Sequence, residues 1–272
     1  MRVQKILLVA WLGLTCIGIA AAQSQAQAKH AHIELLAAAE PAGSILLGVH
    51  FRLEPGWHIY WTNPGDSGQP PSFHWMLPAG AAAGEVQWPR PDRLQTSPTI
   101  IDYGYNRDVL LMVPVRFAAS QKSSRLSVAV EAKWLICREV CLPDHAHLSL
   151  SLAAARPENS RTARLFAKAR ALLPRPWPAK WKITAESRRN DFLVTIVTGR
   201  PLVRTEFFPL DPGQVDNAAR QRLTTTPHGA KLVLQKSDLL LKPVTELRGV
   251  LVVGNKAYQF HTPVLASRSA LK

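Results

Sequence analysis

Cysteine is nearly absent from this sequence, with three in 272 residues. So few thiols exclude a fold held by a disulfide framework, and the chain must stabilise itself by burying apolar surface. Acidic residues are scarce too, 19 against 33 Lys and Arg, giving a formal charge of +14. Beyond the N-terminus no run approaches the roughly 20 apolar residues that span a bilayer. No serine or cysteine sits in a recognisable base-and-orienter motif, so hydrolase chemistry finds no support. What is plentiful is apolar: 47% of residues are hydrophobic and 19% charged, the composition of a folded chain. A length of 272 fits one large domain or two ordinary ones.

The N-terminus reads as an export signal over residues 1–22. Arg2 and Lys5 form a positive n-region, residues 6–19 are apolar, and Ala20-Ala21-Ala22 offers a small-residue cleavage site. Ala26-Gln27-Ala28 is a second such site. An uncleaved membrane anchor is the alternative, although the run is short for a span. Cys16 follows Gly13-Leu14-Thr15, a poor match to a lipobox. A soluble protein outside the cytoplasm is expected, with two cysteines left after cleavage at Ala22.

The charge is not spread evenly. Residues 23–155 carry 10 Lys and Arg against 11 Asp and Glu, whereas residues 156–272 carry 21 against 8. The basic excess therefore belongs to the second half, where it suits an acidic partner or a weak contact with an anionic membrane surface. Nucleic-acid binding requires a motif beyond charge and none is present.

The first half alternates at period two. Ile45, Leu47, Val49, Phe51 and Leu53 make one strand, and Val109, Leu111, Val113, Val115 and Phe117 another. Leu126 to Ile136 at even positions, then Leu148, Leu150 and Leu152, continue the pattern. Pro114 predicts an edge or bulge. Eight prolines between Pro55 and Pro98 predict loops and short strands. The fold class is mainly β, a β-sandwich over residues 29–155. Residues 156–181 read as an amphipathic helix, with Asn159 or Ser160 as cap and Pro174 as stop, followed by a Pro-rich linker. Its basic face could rest on a membrane, although an apolar stripe packed on its own domain is the commoner use. A second, smaller β domain over 182–265 is expected from strands at 192–198, 231–235, 247–253 and 258–264.

Cys137-Arg138-Glu139-Val140-Cys141 holds the chemistry. Residues i and i+4 of an extended strand lie about 13 Å apart, so a disulfide here requires the middle three to turn. That turn lacks a glycine, and so small a ring stabilises a fold little, by about 2 kcal/mol. Both features suit a reducible, functional disulfide, with an inert structural bridge as the alternative. Strand parity predicts that Cys137 points outward. A third reading takes Cys137, Cys141, His145 and His147 as ligands for Zn²⁺ or Cu⁺. Against it, Pro143 stiffens the chain and the alternating His/Ser positions resemble a solvated strand face.

Three stretches together resemble the N-terminal periplasmic domain of the thiol:disulfide interchange protein DsbD, most closely its copper-tolerance ScsB-like branch. They are Gly56-Trp57-His58-Ile59-Tyr60-Trp61-Thr62-Asn63-Pro64-Gly65-Asp66-Ser67-Gly68, then Asp102-Tyr103-Gly104-Tyr105 with Val109-Leu110-Leu111, then residues 134–143. Phe207-Phe208-Pro209 and Gly249-Val250-Leu251 carry a fainter likeness to an extension of that branch. The resemblance implies an immunoglobulin-like sandwich in which Cys141 forms a mixed disulfide with a client and Cys137 resolves it, without a cofactor. It implies Asp102, Tyr103, Gly104 and Tyr105 as a cap whose aromatics shield the sulfurs, and Tyr60 and Trp61 as neighbouring aromatics. Ordinary burial would explain all of these equally. Implied partners are thioredoxin-fold or disulfide-isomerase-like periplasmic proteins. The cysteine spacing is narrower than in DsbD, and the sequence shows neither a membrane conduit nor a thioredoxin-like domain, so a separate membrane electron donor is expected.

Overall fold

The structure is a computed structural model that describes residues 23–40, 44–117, 125–153 and 160–266. The expected signal over residues 1–22 lies outside the described residues, as does the candidate cap Asn159. Among the described residues no helix is long and apolar enough to cross a membrane.

Alternating apolar residues become strands where one face finds something to pack against. The first unit runs β1 (Gln25–Ala28), β2 (Ala31–Ala39), β3 (Ile45–Leu53), β4 (Ile59–Gly65), β5 (Ser72–Met76) and β6 (Ala81–Ala83). It continues with β7 (Asp92–Gln95), β8 (Ile101–Tyr105), β9 (Val109–Phe117), β10 (Arg125–Cys137) and β11 (Cys141–Ala153). These form a five-stranded sheet, β1-β2-β3-β9-β6, and two three-stranded sheets, β11-β10-β5 and β4-β8-β7. Ile33, Leu35, Leu47, Val49, Phe51 and Leu111 of the large sheet share one core with Val128, Val130, Trp134 and Leu148 of the β10–β11 hairpin. Phe51 meets Trp134 edge-on at 5.3 Å. Pro114 pairs with Leu46 of β3, and on its other side β6 begins only at Val115. The ring nitrogen therefore sits where β6 ends, and the Pro114 carbonyl still accepts from the Gly84 N–H at 2.8 Å. Because β1 pairs with β2 from Gln25↔Glu34 to Ala28↔Ala31, cleavage after Ala28 would remove a strand that cleavage after Ala22 keeps.

The helix α1 (Ser160–Leu172) turns its apolar stripe onto the outer face of the large sheet. Phe166 and Ala169, flanked by Leu165 and Leu173, pack on Leu36, Ala38, Leu46, Leu110 and Met112. Arg161 adds a two-pronged pair to the buried Glu34 at 3.1 and 2.9 Å. The basic amphipathic helix is thus committed to the protein's own sheet.

The second unit comprises β12 (Lys182–Ser187), β13 (Asp191–Val197), β14 (Thr205–Pro209), β15 (Arg222–Thr226), β16 (Gly229–Gln235), β17 (Glu246–Val253) and β18 (Lys256–Ala266). They make a single seven-stranded sheet, β14-β17-β18-β12-β13-β16-β15, with β12 and β18 parallel. Its interior holds Phe192, Val194, Leu232, Leu234, Phe207, Leu251 and Phe260. Phe208, Val250, Val252 and Ala257, on the other face, join the core of the first unit. The two β units are therefore packed through a shared apolar seam. Asn63 reinforces it by donating from Nδ2 to the Pro209 carbonyl at 2.8 Å, across a buried contact.

Candidate functional site

The β10–β11 hairpin pairs without a break from Arg125↔Ala153 to Cys137↔Cys141. Directly opposed residues in an antiparallel ladder sit close enough to be bridged. The cysteines are the last such pair, with α-carbons 4.1 Å apart and a disulfide between them. Arg138-Glu139-Val140 forms the turn, closed by the Arg138 N–H donating to the Val140 carbonyl at 3.2 Å.

The two sulfurs differ in exposure. Cys141 is exposed, whereas Cys137 is 2% accessible. This corrects the parity expectation that Cys137 faces partners. Cys137 does leave the core face, since Trp134 and Ile136 point inward, but the chain entering β4 pairs beside it and the Tyr60 hydroxyl meets its sulfur. His58 and Cys137 exchange backbone hydrogen bonds at 2.9 and 3.0 Å, which carries Tyr60 across the disulfide.

Tyr60 is fully buried, and its hydroxyl lies 3.0 Å from the Cys137 sulfur and 3.3 Å from that of Cys141. The His58 ring meets it edge-on at 5.2 Å. Gly68 presses flat against the phenol, since a Cβ at that position would stand 2.0 Å from Tyr60 Cζ. The Ser67 hydroxyl approaches the Tyr60 hydroxyl at 3.4 Å. Ser67 donates from N–H and hydroxyl to Asp102 Oδ1 at 3.1 and 2.9 Å, and Thr96 donates to Oδ2 at 3.2 Å. His58 Nε2 stands 3.8 Å from that same carboxylate. Burial lowers the pKa of His58, with Asp102 opposing, and so favours the neutral ring. Burial raises that of Tyr60, the Ser67 hydrogen bond opposing and Asp102 adding to it, so the phenol stays protonated as a donor.

The candidate residues named from sequence divide clearly. Tyr60 covers the sulfurs, while Trp61 turns the other way into the core. Asp102 to Tyr105 form most of β8, and their aromatics do not shield the disulfide. The Tyr103 hydroxyl donates instead to Asn217 Oδ1 at 2.9 Å, and its ring meets Phe208 at 5.4 Å. Tyr105 donates to the Pro89 carbonyl at 2.7 Å, and Gly104 allows β4 and β8 to close against Ile59. The reason is the ladder of β4 with β8, which faces these phenols toward the seam and the loop before β7. Only Asp102 reaches the site, as the acceptor behind Ser67 and beside His58.

His145 and His147 pair with Lys133 and Glu131 further along the hairpin, their rings 5.8 Å apart. His145 lies four positions along the strand from Cys141, about 13 Å in extended chain, so the proposed four ligands do not converge. Among the described residues no group of three or more His, Cys, Asp and Glu is placed to hold a metal ion. Sequence reasoning missed His58, Ser67 and Gly68 as site residues. Period two would have placed His58 on the same strand face as Tyr60, but nothing local marks the Ser67-Gly68 contact.

A family model described as the N-terminal part of the thiol:disulfide interchange protein DsbD matches residues 25–153. No curated protein matches the chain. Among solved structures, the N-terminal periplasmic domain of ScsB from Proteus mirabilis aligns with a TM-score of 0.69 at 18% identity, covering 90% of this chain and 98% of that one. At that identity the likeness shows the fold, including an immunoglobulin-like first unit followed by a second β unit. The GAE domain of yeast GGA1 aligns over 47% of this chain and 96% of that one at 12% identity, with a TM-score of only 0.30.

Proposed function

Because residues 25–153 belong to the family of the DsbD N-terminal domain, we propose that the chain is a periplasmic thiol–disulfide interchange protein working through Cys137 and Cys141. The observation that supports this reading best is the unequal exposure of the pair: one sulfur open at a hairpin tip, the other buried beneath Tyr60. In the reduced protein the Cys141 thiolate attacks a client disulfide, forming a Cys141–client bond and releasing one client thiolate. The Cys137 thiolate then attacks the Cys141 sulfur, re-forming the internal disulfide and releasing the second client thiolate, which takes a proton from water. Two electrons pass to the client, and a donor dithiol restores them by the reverse exchange.

The surroundings suit these roles. Val140 is 61% exposed beside Cys141, giving a client an apolar contact at the point of attack. The Tyr60 hydroxyl packs on the buried Cys137 sulfur, which leaves Cys141 as the sulfur open to an incoming thiol. The clients are thioredoxin-fold or disulfide-isomerase-like periplasmic proteins, and the basic second half attracts acidic surfaces on them.

Cys141→Ala is expected to abolish reduction of a thioredoxin-fold client while the fold persists. Cys137→Ala should trap the client as a mixed disulfide, visible as a shifted band on a non-reducing gel. Unchanged transfer by the Cys141→Ala protein would reject the reading.

A further inference from the structure

The loop joining β4 to β5 is held from both sides. Gly65 and Gly68 adopt φ of 91° and 76°, which lets the loop double back onto β8. Asp66 anchors it there, its N–H donating to the Ile101 carbonyl at 3.0 Å and its Oδ2 accepting from the Ile101 N–H at 2.8 Å. On one side of this loop Ser67 and Gly68 press against Tyr60, which covers the disulfide.

On the other side stands Asn217 of the second β unit. Asn217 is 9% accessible, and both ends of its amide are used on the first unit. Nδ2 donates to Asp66 Oδ1 at 2.8 Å, and Oδ1 accepts from the Tyr103 hydroxyl at 2.9 Å. Its backbone carbonyl accepts from the Arg93 guanidinium. The local turn needs none of this, because Asp216 closes it by accepting from the N–H groups of Ala218 and Ala219 at 2.9 and 3.1 Å. The Asn217 amide is therefore committed across the seam, to the residue next to the one that touches Tyr60.

We propose that Asn217 is a positioning residue through which the second β unit holds the Asp66-Ser67-Gly68 loop, and with it Tyr60, over the Cys137–Cys141 disulfide. The contact runs from Asn217 to Asp66, through the adjacent Ser67 to the phenol, and from the phenol to both sulfurs. The second unit thereby regulates how readily a thiol reaches the pair. This gives the second unit a role at the disulfide. The inference rests on the functional reading above only in taking the pair to be reducible, and its test uses no client.

The test is the rate at which dithiothreitol reduces the disulfide of the intact chain. One dithiothreitol thiolate attacks the Cys141 sulfur and Cys137 leaves as thiolate; the second closes the reagent's ring and frees Cys141. Loosening one buried hydrogen-bonded contact is expected to speed this step about three- to tenfold in Asn217→Ala, and similarly in Tyr60→Phe. Because both act on one cover, the double variant should be no faster than the quicker single one. An unchanged rate in Asn217→Ala, or rate factors that multiply in the double variant, would overturn the proposal. Should Asn217→Ala fail to fold, Asn217→Asp decides. It keeps the acceptor for Tyr103 but sets a second carboxylate against Asp66, and it must also react faster than the parent. Client transfer that fails while this coupling persists would reject the interchange function and leave the positioning role standing.

Discussion

Tyr60 has no accessible surface, yet its hydroxyl lies within 3.3 Å of both sulfurs. A polar group buried so completely has to find partners, and here the disulfide and Ser67 supply them. The buried histidines follow the opposite course. His50 is 2% accessible and neither ring nitrogen has a hydrogen-bond partner, although Glu34 and Asp108 approach at 3.7 and 3.8 Å. Burial lowers its pKa, with Asp108 and Glu34 opposing, as it lowers that of His58. In the unfolded chain each histidine gains a proton near its ordinary value of about 6.5, while the folded protein resists until lower pH. The unfolded state then binds more protons, so stability is complete above that value and is lost as pH falls below it. Urea melts at about pH 7.5 and about pH 5.5 should show a lower midpoint at the acid end, and His50→Gln should flatten the difference. A midpoint that rises on acidification would contradict this assignment.

At the scale of the element, period-two alternation is what marks a strand in the sequence. β3, β9 and β10 show it in the sequence, and all three form close to the predicted positions. β2 was not foreseen, because Leu35 to Ala39 are five consecutive apolar residues and the alternation vanishes. Helix α1 covers the outer face of β2, β3 and β9 and so removes the polar half of the pattern. The helix itself was legible from Leu165, Phe166, Ala169, Leu172 and Leu173, but the face it would cover was not. Phe166, 1% accessible, is the centre of that contact. Phe166→Ala should cost about 3–5 kcal/mol in denaturant unfolding, from lost burial and the cavity left behind. A loss below about 1 kcal/mol would mean that the helix stands off the sheet. The β10–β11 hairpin was legible too, and its uninterrupted register is what brings two cysteines four residues apart face to face.

The whole molecule unites what the charge asymmetry divides. Residues 23–155 are close to neutral and residues 156–272 strongly basic, which supports a division into two domains. Yet Phe208, Val250, Val252 and Ala257 complete the core of the first unit, and Asn63 and Asn217 bond across the seam. Separation would expose that apolar surface and leave buried polar groups unpaired, so the units should melt together. Thermal unfolding followed by tryptophan fluorescence and by far-ultraviolet circular dichroism should give coincident single transitions. Two resolved transitions would show that the seam contributes little.

The sequence by itself determined the β class, the helix, the placing of Cys137 and Cys141 at either end of one turn, and the likeness of residues 25–153 to the N-terminal part of the thiol:disulfide interchange protein DsbD. These rest on local spacing, which a linear chain displays directly. Only the tertiary structure decided which sulfur is exposed, that Tyr60 and not Tyr103 or Tyr105 covers the pair, and that the second unit reaches toward the site. Those outcomes depend on contacts between residues 77 apart, Tyr60 to Cys137, and 151 apart, Asp66 to Asn217. Strand parity shows which way a side chain points, but what packs over it is set by the rest of the chain.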